Sequence, residues 1–154
     1  MSTPSNPTSP TAASGTYRAP ALSRGVLGWG VAVGVATAAT PLVCWWLPAA
    51  SVYSMGLVFI AAVYVGFAVA DGRRHVLVVE SLVAAAFVVV AAVATTGPAW
   101  LLVAGLFGHG LKDLWQHRIG FVRGTRWWPP FCVTVDWVAA ALLAVVLLVG
   151  VSMR

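Results

Sequence analysis

Hydrophobic residues fall into long runs along the chain, and short polar segments separate one run from the next. A helix needs about 20 mostly apolar residues to cross the hydrocarbon core of a bilayer. Four runs come close to or exceed that length, and they are bounded by the Pro, Gly and charged residues typical of turns. These runs predict transmembrane helices at residues 25–47, 52–70, 75–94 and 129–149.

A further apolar run, from residue 99 to residue 111, is too short to cross a bilayer by itself. This segment is either re-entrant or part of a longer helix that carries polar residues into the membrane. We favour a helix at residues 99–118, because no helix-breaking residue stands between Lys112 and His117. The predicted fold is therefore all-α, a polytopic membrane protein in which residues 23–154 form a bundle of five transmembrane helices.

The overall composition excludes a water-soluble fold. Hydrophobic residues make up 60% of the chain and charged residues 8%, whereas a soluble domain carries about 25% charged residues. Residues 1–22 are rich in Ser, Thr and Pro and predict a disordered tail. The formal net charge of +5 comes mainly from basic residues that flank the hydrophobic runs. The predicted partner is therefore the lipid bilayer and not a nucleic acid.

The distribution of basic residues predicts how the helices are oriented. With five spans, the tail, the turn at 71–74 and the loop at 119–128 share one side of the membrane, and the other side receives only Arg154. Cytoplasmic segments are enriched in Lys and Arg. We therefore predict a multi-pass protein of the cell membrane with a cytoplasmic N-terminus. The arginines on this side are Arg18, Arg24, Arg73, Arg74, Arg118, Arg123 and Arg126.

Three acidic residues are predicted to share one layer of the bundle. Glu80 and Asp113 each lie five residues from the cytoplasmic end of a predicted helix, and Asp136 lies five residues after Phe131. At about 1.5 Å of rise per residue, this spacing places all three at a similar depth of about 7 Å. A charge at the bilayer centre costs about 2.5–3.5 kcal/mol on insertion scales. We therefore expect these side chains to face the interior of the bundle.

The same layer contains histidines at helical spacing. His109, Asp113 and His117 follow one another at intervals of four residues, so they lie within about 80° on one helical face. Imidazole and carboxylate groups are common ligands of divalent metal ions. We predict a divalent metal site formed by His109, Asp113, His117 and Asp136, with Glu80 as a further candidate ligand.

Two other interpretations of this cluster stay open. In one, hydrogen bonds and ion pairs lock the helices together, for example between Asp113 or Asp136 and Lys112 or Arg118. Lys112 itself either extends to the cytoplasmic surface or pairs with Glu80. In the other, the polar residues line a path for protons or a substrate.

Two motifs resemble a family of small, poorly characterised bacterial integral membrane proteins. The motifs are His109-Gly110-x-x-Asp113-x-x-x-His117-Arg118 and Trp128-Pro129-Pro130-Phe131-Cys132-x-x-x-Asp136. The resemblance covers roughly residues 71–145 and includes Glu80. It implies a compact helical bundle in a bacterial inner membrane, with the polar residues gathered at one shared site.

Two functions follow from these features. The first is a membrane-embedded, metal-dependent enzyme acting on a lipid or isoprenoid-like substrate, in which the metal polarises an oxygen or activates water. Asp136 or Glu80 would be its catalytic general base. The second is a non-enzymatic protein, either a small carrier or an accessory subunit of a larger membrane complex. In that case the cluster is a structural ion-pair network. A homo-oligomer, formed with further copies of the chain, is the other candidate assembly.

Overall fold

Five α-helices make up nearly all of residues 24–153, the part of the chain that the computed structural model describes. The predicted disordered tail at residues 1–22 lies outside the described residues. No strand occurs between residues 24 and 153, as the all-α prediction requires. The helices are α1 (Arg24–Val43), α2 (Ala49–Asp71), α3 (Arg74–Thr96), α4 (Trp100–Ile119) and α5 (Trp128–Leu148).

The helix bounds agree with the hydrophobic runs to within a few residues, except at the end of α1. That helix ends at Val43 and not at residue 47. Pro41 lies in its last turn, where the missing N–H group and the ring disfavour continuation. Residues 44–48 then form a turn into α2. The predicted continuation of α4 is confirmed, because the helix passes unbroken from Trp100 to Ile119.

Four of the helices, α1, α2, α3 and α5, are long and apolar enough to cross a membrane. Helix α4 is not among them, although it has 20 residues. Its C-terminal half carries polar and charged side chains, including Lys112 and Asp113, which lower its mean hydropathy. The fold therefore has four membrane-span candidates by length and composition, one fewer than the five that were predicted.

Contacts between the helices define their directions. Gly30 of α1 faces Thr134 of α5, and Gly34 faces Val138 one turn later, so these two helices run parallel. Helix α2 packs on α3, and α4 packs on α5. On the facing sides of α2 and α4, Leu57 packs against Gly105. Further along both helices, Tyr64 contacts His109. Successive helices therefore alternate in direction, and α2 and α4 point the same way.

Two glycines let neighbouring helices approach α4 closely. A Cβ atom on Gly105 would lie 2.6 Å from Cδ2 of Leu57, and a Cβ atom on Gly110 would lie 2.5 Å from Nε1 of Trp137. Small residues at helix contacts permit this approach in membrane proteins. Gly105 and Gly110 flank His109 in the sequence, so the close packing of α2 and α5 fixes the surroundings of that histidine.

The turn between α2 and α3 is tied to the loop between α4 and α5. The guanidinium group of Arg73 donates to Asp71 at 2.5 and 2.8 Å, and to the carbonyl oxygen of Phe121 at 2.6 Å. Asp71 also accepts a hydrogen bond of 2.7 Å from the backbone N–H of Arg123. The bond to Asp71 raises the pKa of the Arg73 guanidinium. One carboxylate therefore joins two loops at this end of the bundle.

The two ends of the bundle differ in charge. The end that holds the Asp71–Arg73 pair carries every described arginine, and we call it the arginine-rich end. The segments at the opposite end, residues 44–48, 97–99 and 149–153, contain no charged residue. The arginines are Arg24, Arg73, Arg74, Arg118, Arg123 and Arg126.

Candidate metal centre

His109 lies at the centre of the predicted cluster and faces two carboxylates. Its Nδ1 atom is 2.8 Å from Oδ2 of Asp136 on α5 and 3.5 Å from Oδ2 of Asp113 on its own helix. All three residues are buried, with at most 1% of each exposed. Each offers a ligand atom, and these atoms all lie within 4.8 Å of one another. We call His109, Asp113 and Asp136 the buried triad. The triad could hold a metal ion.

The surrounding helices explain why these side chains meet. Asp113 follows His109 by four residues, so both lie on the face of α4 that points into the bundle. The imidazole ring is packed edge-on between the ring of Tyr64 on α2, at a centroid distance of 5.8 Å, and the ring of Phe87 on α3, at 5.0 Å. Asp136 approaches from α5. Four helices therefore hold His109 in place.

Several polar atoms of the triad have no hydrogen-bond partner in the described part of the chain. They are Nε2 of His109 and both side-chain oxygens of Asp113. The hydroxyl group of Tyr64, which interacts with Asp113, also lacks a hydrogen bond of normal geometry. An unsatisfied buried polar group costs about 1–3 kcal/mol. Carboxylate oxygens and imidazole nitrogens are suitable ligands for divalent ions, so the donor set fits a bound cation.

Glu80 belongs to a neighbouring ion pair and not to the triad. Its Oε2 atom lies 2.8 Å from Nζ of Lys112, and its Oε1 atom accepts a hydrogen bond from Gln116. The same Nζ atom lies 3.9 Å from Oδ1 of Asp113 and 3.3 Å from the centroid of the Tyr64 ring. The pairing of Lys112 with Glu80, one of the sequence alternatives, is confirmed. Lys112 connects this pair to the triad.

His117 is buried but is not a member of the triad. It follows His109 by eight residues, which corresponds to about 12 Å along the axis of α4. His109 and His117 lie on the same face of α4, but they are too far apart along the helix axis to bind one metal ion. Of the four predicted metal ligands, the structure thus brings together His109, Asp113 and Asp136 and leaves out His117.

Sequence reasoning missed two residues next to the cluster, Tyr64 and Gln116. Tyr64 carries a signal that could have been used: it is the only residue with a hydroxyl group in the apolar segment 55–70. Tyrosines of membrane helices prefer the interface to the centre of the span. A tyrosine in mid-helix therefore indicates a polar neighbour. Gln116 has no comparable signal, because its partner Glu80 lies on another helix.

The formal charges of the cluster do not balance. Glu80, Asp113 and Asp136 carry three negative charges when ionised, and Lys112 supplies one positive charge within 4 Å of two of them. The remaining charge of about −2 is larger than a single imidazolium can neutralise. Charges in a membrane interior are usually paired.

Comparison of the chain with known protein families, curated proteins and solved structures finds no match. The family resemblance drawn from the two motifs therefore stays a prediction, and the function has to be argued from the buried triad and its surroundings.

Proposed function

We propose that the chain is an integral membrane protein with five transmembrane helices and a cytoplasmic N-terminus. The 20 residues of α4 correspond to about 30 Å, the thickness of a hydrocarbon core. Helix α4 lies alongside α2, α3 and α5, each long and apolar enough to cross a bilayer. Its polar side chains point inward, to the triad and to Glu80.

The charge asymmetry supports the proposed orientation. All described arginines lie at one end of the bundle, and the described loops at the other end carry no charge. Because Lys and Arg are enriched on the cytoplasmic side, the arginine-rich end is assigned to the cytoplasm. Helix α1 begins at that end, so we assign a cytoplasmic location to the N-terminus as well.

The proposed function of the buried triad is to bind one divalent cation. The observation that carries this proposal is the arrangement of two buried carboxylates on one imidazole nitrogen, at 2.8 and 3.5 Å. A divalent cation held by neutral His109 would balance the residual charge of the cluster. It would also supply a close partner for the carboxylate oxygens of Asp113, which accept no hydrogen bond from residues 24–153.

A triad of three ligands suits a catalytic metal better than a purely structural one. Catalytic zinc sites use three protein ligands and keep a further position for water or substrate. The metal would polarise a substrate oxygen or activate water, and the bilayer would deliver a lipid or isoprenoid-like substrate. Glu80 is engaged through both carboxylate oxygens, by Lys112 and Gln116. Asp136 contacts His109 through Oδ2, so its other oxygen would be the one left to act as a base beside the metal.

One observation favours the non-enzymatic alternative. The pair formed by Glu80 and Lys112 links α3 to α4, and the contact between His109 and Asp136 links α4 to α5. Interhelical polar contacts of this kind stabilise helix association in membranes. A carrier or an accessory subunit could therefore use the whole cluster as a brace without any cation.

Thermal unfolding of the purified protein in detergent separates these two functions. Binding to the folded state alone stabilises a protein by about 2.7 kcal/mol at a ligand concentration of 100 Kd. We expect a chelator to lower the Tm, and we expect one divalent metal, tested among Zn²⁺, Mn²⁺ and Mg²⁺, to restore it.

The His109→Ala variant should lose this response of the Tm to chelator and metal. His117→Ala, which removes another buried histidine of α4, should keep it. A Tm that does not respond to chelator or to any of the metals would support the brace.

A further inference from the structure

The side of α4 that faces away from the triad carries a groove of about 560 Å³. The groove lies open on the outside of the bundle, where Leu111, Trp115 and Arg118 are exposed. The lining residues among those that the structure describes all belong to α4. They are Gly108, Leu111, Lys112, Leu114, Trp115 and Arg118.

The groove changes in character along the helix. Gly108 and Leu111 form its apolar end, and a Cβ atom on Gly108 would have no other atom within 4 Å. Trp115 is 48% exposed and precedes Arg118, which lies in the last turn of α4 at the arginine-rich end. An amphiphile with an anionic headgroup has the matching order: its chain fits the apolar end, and its headgroup fits the end at Arg118.

The charge at Arg118 is available to a ligand. The chain contains only four acidic residues, and the described contacts engage each of them elsewhere. Asp71 pairs with Arg73, Glu80 with Lys112, and both Asp113 and Asp136 contact His109. Arg118 has no ion pair among residues 24–153. A partner that complements its charge must therefore come from outside the described bundle.

Lys112 connects this groove to the buried cluster. Its side chain lines the groove and is only 12% exposed, and its Nζ atom contacts Glu80 and approaches Asp113. Among the lining residues it is the one in contact with the acidic side chains of the interior. Only the side chain of Lys112 would therefore separate a ligand in the groove from Asp113 of the triad.

We propose that this groove binds the headgroup region of an anionic glycerophospholipid, with the phosphate at Arg118 and an acyl chain along Leu111 and Gly108. The cytoplasmic leaflet is rich in anionic lipids, and these attract basic residues near its surface. The inference rests on the proposed membrane embedding and orientation, but it does not depend on a cation in the triad.

Native mass spectrometry of the full chain in detergent, titrated with phosphatidylglycerol, tests this site. We expect saturable binding of one lipid, and much weaker binding of phosphatidylcholine. Arg118→Gln should weaken the binding of phosphatidylglycerol by about tenfold, the effect of losing one charge-assisted contact of about 1.4 kcal/mol. The matched control is Arg126→Gln, which removes an exposed arginine that is not among the lining residues of the groove. This variant should bind as the wild type does.

A second pair of variants tests the apolar end of the groove. Gly108→Leu places a side chain in the groove where the protein leaves open space, and should weaken phosphatidylglycerol binding. Gly66→Leu, at a glycine of α2 that is equally free of neighbours, should not weaken it.

Equal effects of Arg118→Gln and Arg126→Gln, or of the two leucine variants, would overturn the proposed site. Such results would indicate that the lipid is attracted to the arginine-rich end as a whole. Full competition by millimolar inorganic phosphate would overturn the assignment to a lipid. The Tm response to metals is independent of these results, so failure of the lipid site is distinguishable from failure of the cation site.

Discussion

His109 of α4 lies 2.8 Å from Asp136 of α5, and this contact joins the two helices at the centre of the bundle. The nitrogen that makes the contact, Nδ1, also lies 3.5 Å from Asp113. One nitrogen therefore faces two carboxylates. A proton on Nδ1 can donate to only one of them at full strength, whereas a cation at the same place would interact with both.

This geometry predicts that the cation competes with a proton. Metal binding requires an unprotonated nitrogen and ionised carboxylates, and it releases protons. We expect the apparent affinity of the wild-type protein to rise between pH 6 and pH 8, and calorimetry in buffers of different ionisation enthalpy to show proton release. An affinity that is constant or that falls over this range would argue against direct ligation by the triad.

The second prediction concerns the ion pair between Glu80 and Lys112. Glu80→Gln keeps the shape of the side chain but leaves the ammonium group of Lys112 without its closest carboxylate. Breaking a buried pair in this way costs about 3–5 kcal/mol, so we expect a lower Tm in detergent. The double variant Glu80→Gln/Lys112→Met removes both charges and should recover most of the loss. If the single variant is as stable as the wild type, the pair does not brace α3 against α4.

The third prediction concerns the close approach of α4 and α5. Gly110→Ala would place a Cβ atom 2.5 Å from Nε1 of Trp137, so the indole ring or the helix must move. We expect a loss of stability of about 1–3 kcal/mol and weaker metal binding, because Trp137 follows Asp136 directly.

Gly108→Ala is the matched control, since it makes the same change two residues away on α4, where a Cβ atom meets nothing within 4 Å. It should be neutral or slightly stabilising, as expected for replacing glycine in a helix. Equal stability of Gly108→Ala and Gly110→Ala would contradict the packing described for Trp137.

The fourth prediction concerns topology. In a background in which Cys44 and Cys132 are replaced by alanine, single cysteines introduced at Ser5 and Ser152 should react with a membrane-impermeant reagent from opposite sides. An odd number of spans requires this result. Labelling of both positions from the same side would mean that the number of spans is even, so one of the five helices would not cross the membrane. Helix α4 would be the first to reconsider, because it is the helix whose composition does not by itself predict a span.

Much of the fold could be predicted from the sequence, because the bilayer demands long apolar helices. The continuous helix from Trp100 to Ile119 followed from the absence of a helix breaker between Lys112 and His117. The end of α1 was misplaced by four residues relative to the predicted residue 47, since the apolar run continues beyond Pro41 while the helix ends at Val43.

The candidate site was only partly predictable. Helical spacing places His109 and Asp113 on one face, and equal depth brings Asp136 to the same layer, and these three residues do meet. The same spacing argument included His117, but it ignored the rise along the helix axis. The rings of Tyr64 and Phe87 around His109 depend on packing between α2, α3 and α4, which periodicity within one helix cannot reveal.

The metal content of the purified protein tests the central claim most directly. Wild-type protein and the Asp113→Asn/Asp136→Asn variant would be prepared side by side without chelator, checked for normal migration on size exclusion in detergent, and measured by elemental mass spectrometry. The double variant keeps the side-chain shapes and polar atoms of the triad but lacks its two anionic oxygens, which a divalent ion requires. We predict about one divalent metal ion per wild-type chain and none in the variant. Wild-type protein that is folded and free of metal would contradict the cation site and leave the ion-pair network as the account of the cluster.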